Sequence, residues 1–235
     1  MGLPPATMVE PTRSNVLQPE SAVCSRLLGV CRVGTGTNMD ATYNLNGGYK
    51  PTIKRFADLE GPDFYPTPRW ATFALVENEE FRGDIWECAC GDGSMTKVLE
   101  QTGNAVVSSD LYDRGFGEIG HDFLASGRRA PNIVTNPPYH SAEGFVARSL
   151  ELAERKFALL LRLAFLEGAK RTRQIFHRSP PSRVWVFSER ITFYPKGAKI
   201  RGSGTTTYAW FVWDKDQLGT TELRWFRPGY RAKYA

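Results

Sequence analysis

Three short apolar runs, at residues 105–110, 132–135 and 157–161, constrain this chain more than any other feature. Each is too short to be the core of a helix and is bounded by turn-forming or polar residues, which is the pattern of a buried strand. Phe157-Ala158-Leu159-Leu160-Leu161 shows no polar alternation, so a strand there must be buried on both faces. Residues 84–89, 183–187 and 208–213 are further candidate strands. Between them apolar residues recur at helical spacing: Trp70, Phe73 and Ala74, then Met95, Val98 and Leu99, then residues 141–156 and 166–178. Thr67 followed by Pro68 fits an N-cap and first helical position. The last two strands have no obvious helix between them. The expected fold class is α/β, a doubly wound, mostly parallel sheet with helices on both faces and an antiparallel strand at its C-terminal end. Ligands of such a sheet bind beyond the carboxyl ends of its strands.

The chain has 235 residues, 41% hydrophobic and 23% charged, which suits one α/β domain with a sizeable core. Residues 1–60 are rich in Gly, Pro, Ser, Thr and Asn and show little periodicity. They are expected to form a weakly ordered N-terminal extension, with the folded domain spanning 61–235. No apolar run approaches the ~18 residues of a membrane span, and the first residues lack the charged and apolar pattern of a secretory signal. Four cysteines in a chain this long make no disulfide scaffold, so a reduced, cytoplasmic setting is expected. Cys88-x-Cys90 lacks partner ligands and the three histidines are scattered, so no metal is expected.

Charge is unevenly placed. Residues 155–201 hold twelve Lys or Arg and two acids, a balance of +10 in a chain whose net charge is +5. Such a local excess points to an anionic polymer as partner, nucleic acid above all. A solvated basic face is the plainer alternative.

Two stretches carry chemistry. The first, Glu87-Cys88-Ala89-Cys90-Gly91-Asp92-Gly93-Ser94, lies between a strand and a helix, where glycines allow a tight turn and close approach of a ligand. Asp110 ends the next strand, where an acid can accept hydrogen bonds from ribose hydroxyls. The third glycine of the dinucleotide fingerprint is replaced by Thr96, which favours another nucleoside cofactor. Further on, Asp122 could accept from a purine amine, with Phe123 packing on the purine face. The second stretch, Asn136-Pro137-Pro138-Tyr139, ends the 132–135 strand. It combines a hydrogen-bonding amide, a stiffened backbone and an aromatic face, a set suited to gripping a planar group that carries NH2.

Taken together these residues resemble the S-adenosylmethionine-dependent DNA N6-adenine methyltransferases of the small stand-alone type, over roughly residues 61–215. Asn136-Pro137-Pro138-Tyr139 matches that family's catalytic motif in full. Asp63-Phe64-Tyr65-Pro66-Thr67-Pro68 is similar to the segment that closes over the methyl donor, and the order of closing segment, glycine loop and tetrapeptide also matches. The resemblance implies a Rossmann-like class I methyltransferase fold and S-adenosyl-L-methionine as donor. It implies donor contacts from Tyr65, Pro66, Thr67, Glu87, Ala89, Gly91, Gly93, Asp110, Asp122 and Phe123. Asn136, Pro137, Pro138 and Tyr139 would be catalytic, with Tyr139 stacking on the target base. Phe193 or Tyr194 would face it from the other side. A basic loop near residues 195–206, with Lys196, Lys199 and Arg201, would hold phosphates, helped by Lys170, Arg171 and Arg173. No large recognition domain follows, so methylation of adenine in DNA with low sequence specificity is expected, by a monomer or weak dimer. RNA adenine and a protein glutamine amide remain alternative substrates, since both present the same two hydrogens.

Overall fold

The computed structural model describes Gly2 and residues 64–193, 206–217 and 219–234. Tyr194, Lys196, Lys199 and Arg201, and all of the 1–60 extension except Gly2, lie outside the described residues. Among the described residues eight strands form one sheet: β1 (Ile85–Glu87), β2 (Val106–Asp110), β3 (Glu118–Ile119), β4 (Ala130–Thr135), β5 (Ala153–Arg162), β6 (Arg183–Val186), β7 (Tyr208–Asp214) and β8 (Glu222–Trp225). Their order is β3-β2-β1-β4-β5-β7-β6-β8. All neighbouring pairs are parallel except those that β7 makes with β5 and β6. The strand order reverses beside β1, which pairs on one side with β2 and on the other with β4. That reversal opens a crevice at the carboxyl ends of these three strands.

The uninterrupted apolar run follows from the layering. Phe157, Leu159 and Leu161 of β5 join one core cluster with Ile133, Phe211 and Trp213, and α3 (Ala142–Leu152) adds Phe145 and Val146. Ala158 and Leu160 point the other way, into a second cluster with Val134, Trp210 and Val212. There α1 (Arg69–Val76) supplies Trp70 and Leu75, and Met95 and Leu99 come from around α2 (Thr96–Leu99). Helices on both faces leave no solvent side, so no polar alternation survives. Each such side chain contributes roughly 1.5–3 kcal/mol by leaving water.

Four features differ from the sequence reading. Helix α3 ends at Leu152 rather than continuing to Lys156, because residues 153–156 enter β5 and pair with Ala130 and Asn132 of β4. The expected helix at 166–178 is broken into a turn at Leu163–Leu166, a short α4 (Ala169–Arg171) and a wider turn at Thr172–Phe176. Thr67 does not cap α1: Pro68 holds the N-cap position and no side chain caps this helix. Two edge strands, β3 and β8, and a C-terminal helix α5 (Tyr230–Tyr234) were not anticipated. Helix α5 lies on α1, with Phe73 and Tyr234 stacked at 3.9 Å.

At the opposite end of the sheet from the crevice, a buried ion cluster ties β5, β6 and β7 to the segment after α1. Glu79 accepts hydrogen bonds from Arg183, Trp185 and Lys156, and Asp214 pairs with Arg183 at 3.0 Å and Lys156 at 3.2 Å. Burial pushes the Glu79 carboxyl up, but bonds from Arg183 and Trp185 and the nearby cations outweigh it and hold the group below its ordinary value. Asp214 is lowered by the same balance, burial against Arg183 and Lys156. A depressed carboxylate stabilises the fold above its unfolded pKa and loses that contribution as pH falls through the folded one. Glu79→Ala leaves Arg183 buried without its main partner and should cost about 3–5 kcal/mol. Urea unfolding at pH 7 checks this, and the gap from wild type should narrow as the buffer is taken down through the carboxylate range.

Candidate functional site

Three adjacent strands deliver the site residues to the crevice. β1 runs into the glycine loop through Glu87, β2 ends on Asp110, and β4 ends on Thr135 just before Asn136. Neighbouring strands lie ~4.8 Å apart, so the three segments converge within two strand spacings.

The glycine loop is held by Asp110. One carboxylate oxygen accepts from the Gly91 N–H at 2.8 Å and the other from the Tyr112 N–H at 2.9 Å. Gly91 and Gly93 take φ of 57° and 74°, which favours glycine, and both are also crowded. A Cβ at Gly91 would stand 2.2 Å from the Phe64 ring, and one at Gly93 would stand 2.6 Å from the Phe116 ring. The segment leading into α1 therefore lies directly on the loop, through Phe64. The sequence marks residues 63–68 as the closing segment but points to Tyr65, Pro66 and Thr67 for its contacts rather than Phe64. The crowding of Gly91 is the signal, and it exists only in three dimensions. Ala89 is half-buried against the core.

Glu87 is buried and accepts a hydrogen bond from the Thr96 hydroxyl, which also lies 2.7 Å from the Ser108 hydroxyl. Burial drives its carboxyl well above the ordinary value of 4.5; the Thr96 bonds oppose this, and the charges of Asp110 and Asp92 reinforce it. Cys88 and Cys90 are free and buried. Burial, then the charges of Glu87 and Asp110, pushes the Cys90 thiol up to about 12, which leaves it unreactive at neutral pH. Among the described residues no group of three or more His, Cys, Asp or Glu is arranged to hold a metal.

Phe123 sits in the core at 2% exposure, stacked on Phe145 at 4.8 Å and edge-on to Trp86 at 5.2 Å. Its neighbour Asp122 is exposed and accepts the Leu124 N–H at 2.9 Å. Protein rings thus flank Phe123, and the Asp122 carboxylate closes its own turn.

The tetrapeptide is built for acceptance. Asn136 donates its amide NH2 to the Thr67 hydroxyl at 3.0 Å, which fixes the amide plane. Its Oδ1 is buried and has no partner among the described residues. No hydrogen bond ends on the Pro137 carbonyl among those residues either. Thr67 is thus the residue that orients Asn136. Pro137 is buried and Pro138 exposed. Beyond them the Tyr139 hydroxyl is buried near Tyr208 and Asn136, with geometry too poor for a hydrogen bond among the described residues, and burial, reinforced by Tyr208, pushes its pKa well above the usual tyrosine value. The Tyr139 ring is half-buried among Tyr208 at 5.6 Å, Phe193 at 6.4 Å and the Arg162 guanidinium at 4.8 Å. The structure therefore brings Phe193 and Tyr139 together, edge to face.

The basic segment is partly neutralised in place. Five of its cations pair with acids outside it: Arg155 with Asp216, Lys156 and Arg183 with Glu79 and Asp214, and Lys170 and Arg171 with Glu143. Arg162, Arg173 and Arg178 are exposed and have no ion pair among the described residues. No described helix is long and apolar enough to cross a membrane.

No protein-family model and no curated protein matches the sequence. Solved structures do match. A chain described as a modification subunit of a type I restriction enzyme from Vibrio vulnificus YJ016 superposes over 72% of this chain, with a TM-score of 0.50 and 14% identity. This chain spans 47% of that neighbour's length. The EcoKI M protein of a type I restriction enzyme gives a TM-score of 0.46 at 15% identity, over 68% of this chain and 45% of its own. Magnesium protoporphyrin IX methyltransferase from Synechocystis PCC 6803, solved with S-adenosylmethionine bound, gives 0.42 at 16% identity, over 61% of this chain and 76% of its own. At 14% identity the first of these speaks to architecture alone, a Rossmann-like α/β fold.

The raised carboxyl of Glu87 has a measurable consequence. The unfolded chain ionises this group near its ordinary value while the fold keeps it protonated to higher pH, so its burial costs stability as pH rises. Glu87→Gln removes the ionisation and keeps the shape. The variant should melt above the wild type at pH 8, with the difference closing towards pH 4, by calorimetry across that range.

Proposed function

We propose that this protein transfers a methyl group from S-adenosyl-L-methionine to the exocyclic N6 amine of adenine in DNA, with little sequence stringency. One observation carries the reading. Asn136 is pinned through its NH2 by Thr67, which leaves its buried Oδ1, with the neighbouring Pro137 carbonyl, as an unsatisfied acceptor pair at the crevice. A buried acceptor without a partner is costly, and a site that binds an NH2 group recovers that cost.

Three features around the glycine loop support a donor site there. Gly91 and Gly93 let the loop turn tightly beneath the Phe64 and Phe116 rings, Asp110 ends β2 where ribose hydroxyls would lie, and Glu87 would offer a carboxyl to the amino-acid end. S-adenosylmethionine held there would supply the methyl group, with its sulfonium sulfur as the leaving group. Residues of this chain do the rest. An aryl amine is a poor nucleophile because its lone pair is delocalised into the ring. Asn136 Oδ1 and the Pro137 carbonyl accept its two hydrogens and so draw the nitrogen towards tetrahedral geometry. Tyr139 holds the base plane, and Phe193 stands beside it. This is catalysis by positioning and by fixed dipoles. The product proton leaves to water. Adenine in duplex DNA must leave the stack to reach such a site. The exposed Arg162, Arg173 and Arg178 support a polyanionic substrate, as does the basic excess of residues 155–201, of which Lys196, Lys199 and Arg201 are part.

Incubation with labelled donor and, in parallel, unmethylated duplex DNA, RNA and protein extract tests the reading. Label recovered as N6-methyladenine from the DNA arm is expected. Label confined to protein glutamine, or to RNA, would overturn the DNA assignment. Asn136→Ala should lower turnover about 10²–10³-fold while donor binding persists. Full activity in that variant would remove Asn136 from the mechanism.

A further inference from the structure

Arg162 enters the reading above only as one of three exposed cations, yet it touches the ring that would hold the base. It is the last residue of β5, whose neighbour β4 runs into Asn136. Its guanidinium lies 4.8 Å from the centroid of the Tyr139 ring. Among the described residues it makes no ion pair and no side-chain hydrogen bond, so the ring is its one partner. The other aromatics against Tyr139 are anchored: Tyr208 is buried on β7, and Phe193 packs edge-on to Tyr208 at 4.8 Å. Arg162 is exposed. A planar base that is to lie on the Tyr139 face covered by this guanidinium has one neighbour it can displace without opening the core.

Displacement is easy on physical grounds. An exposed cation over an aromatic ring is weakly held, whereas a guanidinium binds phosphate through a planar fork of charge-assisted hydrogen bonds. The end of a rigid strand also limits how far the side chain travels, so the anion it finds lies beside the base that displaced it. We infer that Arg162 is a substrate-positioning residue: it rests on Tyr139 in the empty site and, as the target base takes its place, moves onto the backbone phosphate flanking that base. The ring and the phosphate thus compete for one side chain. A base without its phosphate must displace Arg162 with no compensation, so the residue selects nucleotides within a polymer over free bases. This inference rests on the nucleic-acid reading given above.

The test is a cycle between protein and substrate. The wild type is first shown to form N6-methyladenine in a defined duplex. The same duplex is then prepared with a single neutral methylphosphonate at each phosphate flanking that adenine in turn. At one position the wild type should show a KM raised about tenfold. Arg162→Ala should show a similar rise in KM on the unmodified duplex, with kcat and donor affinity held, and should lose nothing further from the methylphosphonate at that position. Arg162→Lys, which keeps the charge without the fork, should fall between the two. Retained donor affinity, by calorimetry, reports that each variant is folded. Additive losses at every position, or an Arg162→Ala variant with unchanged KM, would overturn the role of Arg162 while leaving adenine methylation standing. Absence of N6-methyladenine with the wild type would overturn the parent reading, and this one with it.

Discussion

Everything at the crevice depends on parallel pairing of β1 with both of its neighbours. Three residues, Ile85, Trp86 and Glu87, pair with β2 on one side, and two of them pair with β4 on the other. Because the strands are parallel, their carboxyl ends fall at the same edge, and loops of unrelated sequence are delivered to one place. Burial on both faces fixes the register, since a one-residue slip would turn Ile133 and Val134 into the wrong clusters. Trp86 adds a polar lock by donating to the Ser109 hydroxyl at 2.9 Å.

The segment around residues 64–67 then joins two parts of that edge. Phe64 covers Gly91, and three residues later Thr67 holds the Asn136 amide. The same few residues therefore cover the glycine loop and aim the tetrapeptide. Asp110 braces the loop from the other side through Gly91. The buried ion cluster of Glu79, Lys156, Arg183 and Asp214 lies at the far end of the sheet, so the charges that hold the C-terminal strands together are kept away from the glycine loop and the tetrapeptide.

Much of this was legible in sequence, for identifiable reasons. The central strands showed themselves because two-sided burial demands unbroken apolar residues. The glycine loop, Asp110 and Asn136 showed themselves because strand, turn and helix come in a fixed order. Misreadings arose where a long-range partner outweighed a local preference. Residues 153–156 include good helix formers, but the free edge of β4 drew them into a strand. Thr67 carries a capping signature, and its hydroxyl is taken by Asn136 from 69 residues away. The edge strands β3 and β8 are short and largely exposed, so neither has an apolar pattern to read. The twelve cations of residues 155–201 looked like one basic surface. Nothing in their own spacing discloses that Glu79, Glu143, Asp214 and Asp216 neutralise several of them.

The place of β7 has a consequence for how the molecule is made. Among the described residues it is the only antiparallel strand, and it lies between β5 and β6 although it follows both in the chain. Until residues 208–214 arrive, β5 presents an open edge and β6 has no bridge to the rest of the sheet. The two cores also lack Trp210, Phe211, Val212 and Trp213. Assembly therefore cannot proceed strand by strand from the N-terminal side. It needs an insertion, a non-local step of the kind that slows folding and leaves apolar edges exposed in the interim. A nascent chain that stalls before Tyr208 would be expected to engage chaperones, whatever the state of its glycine loop.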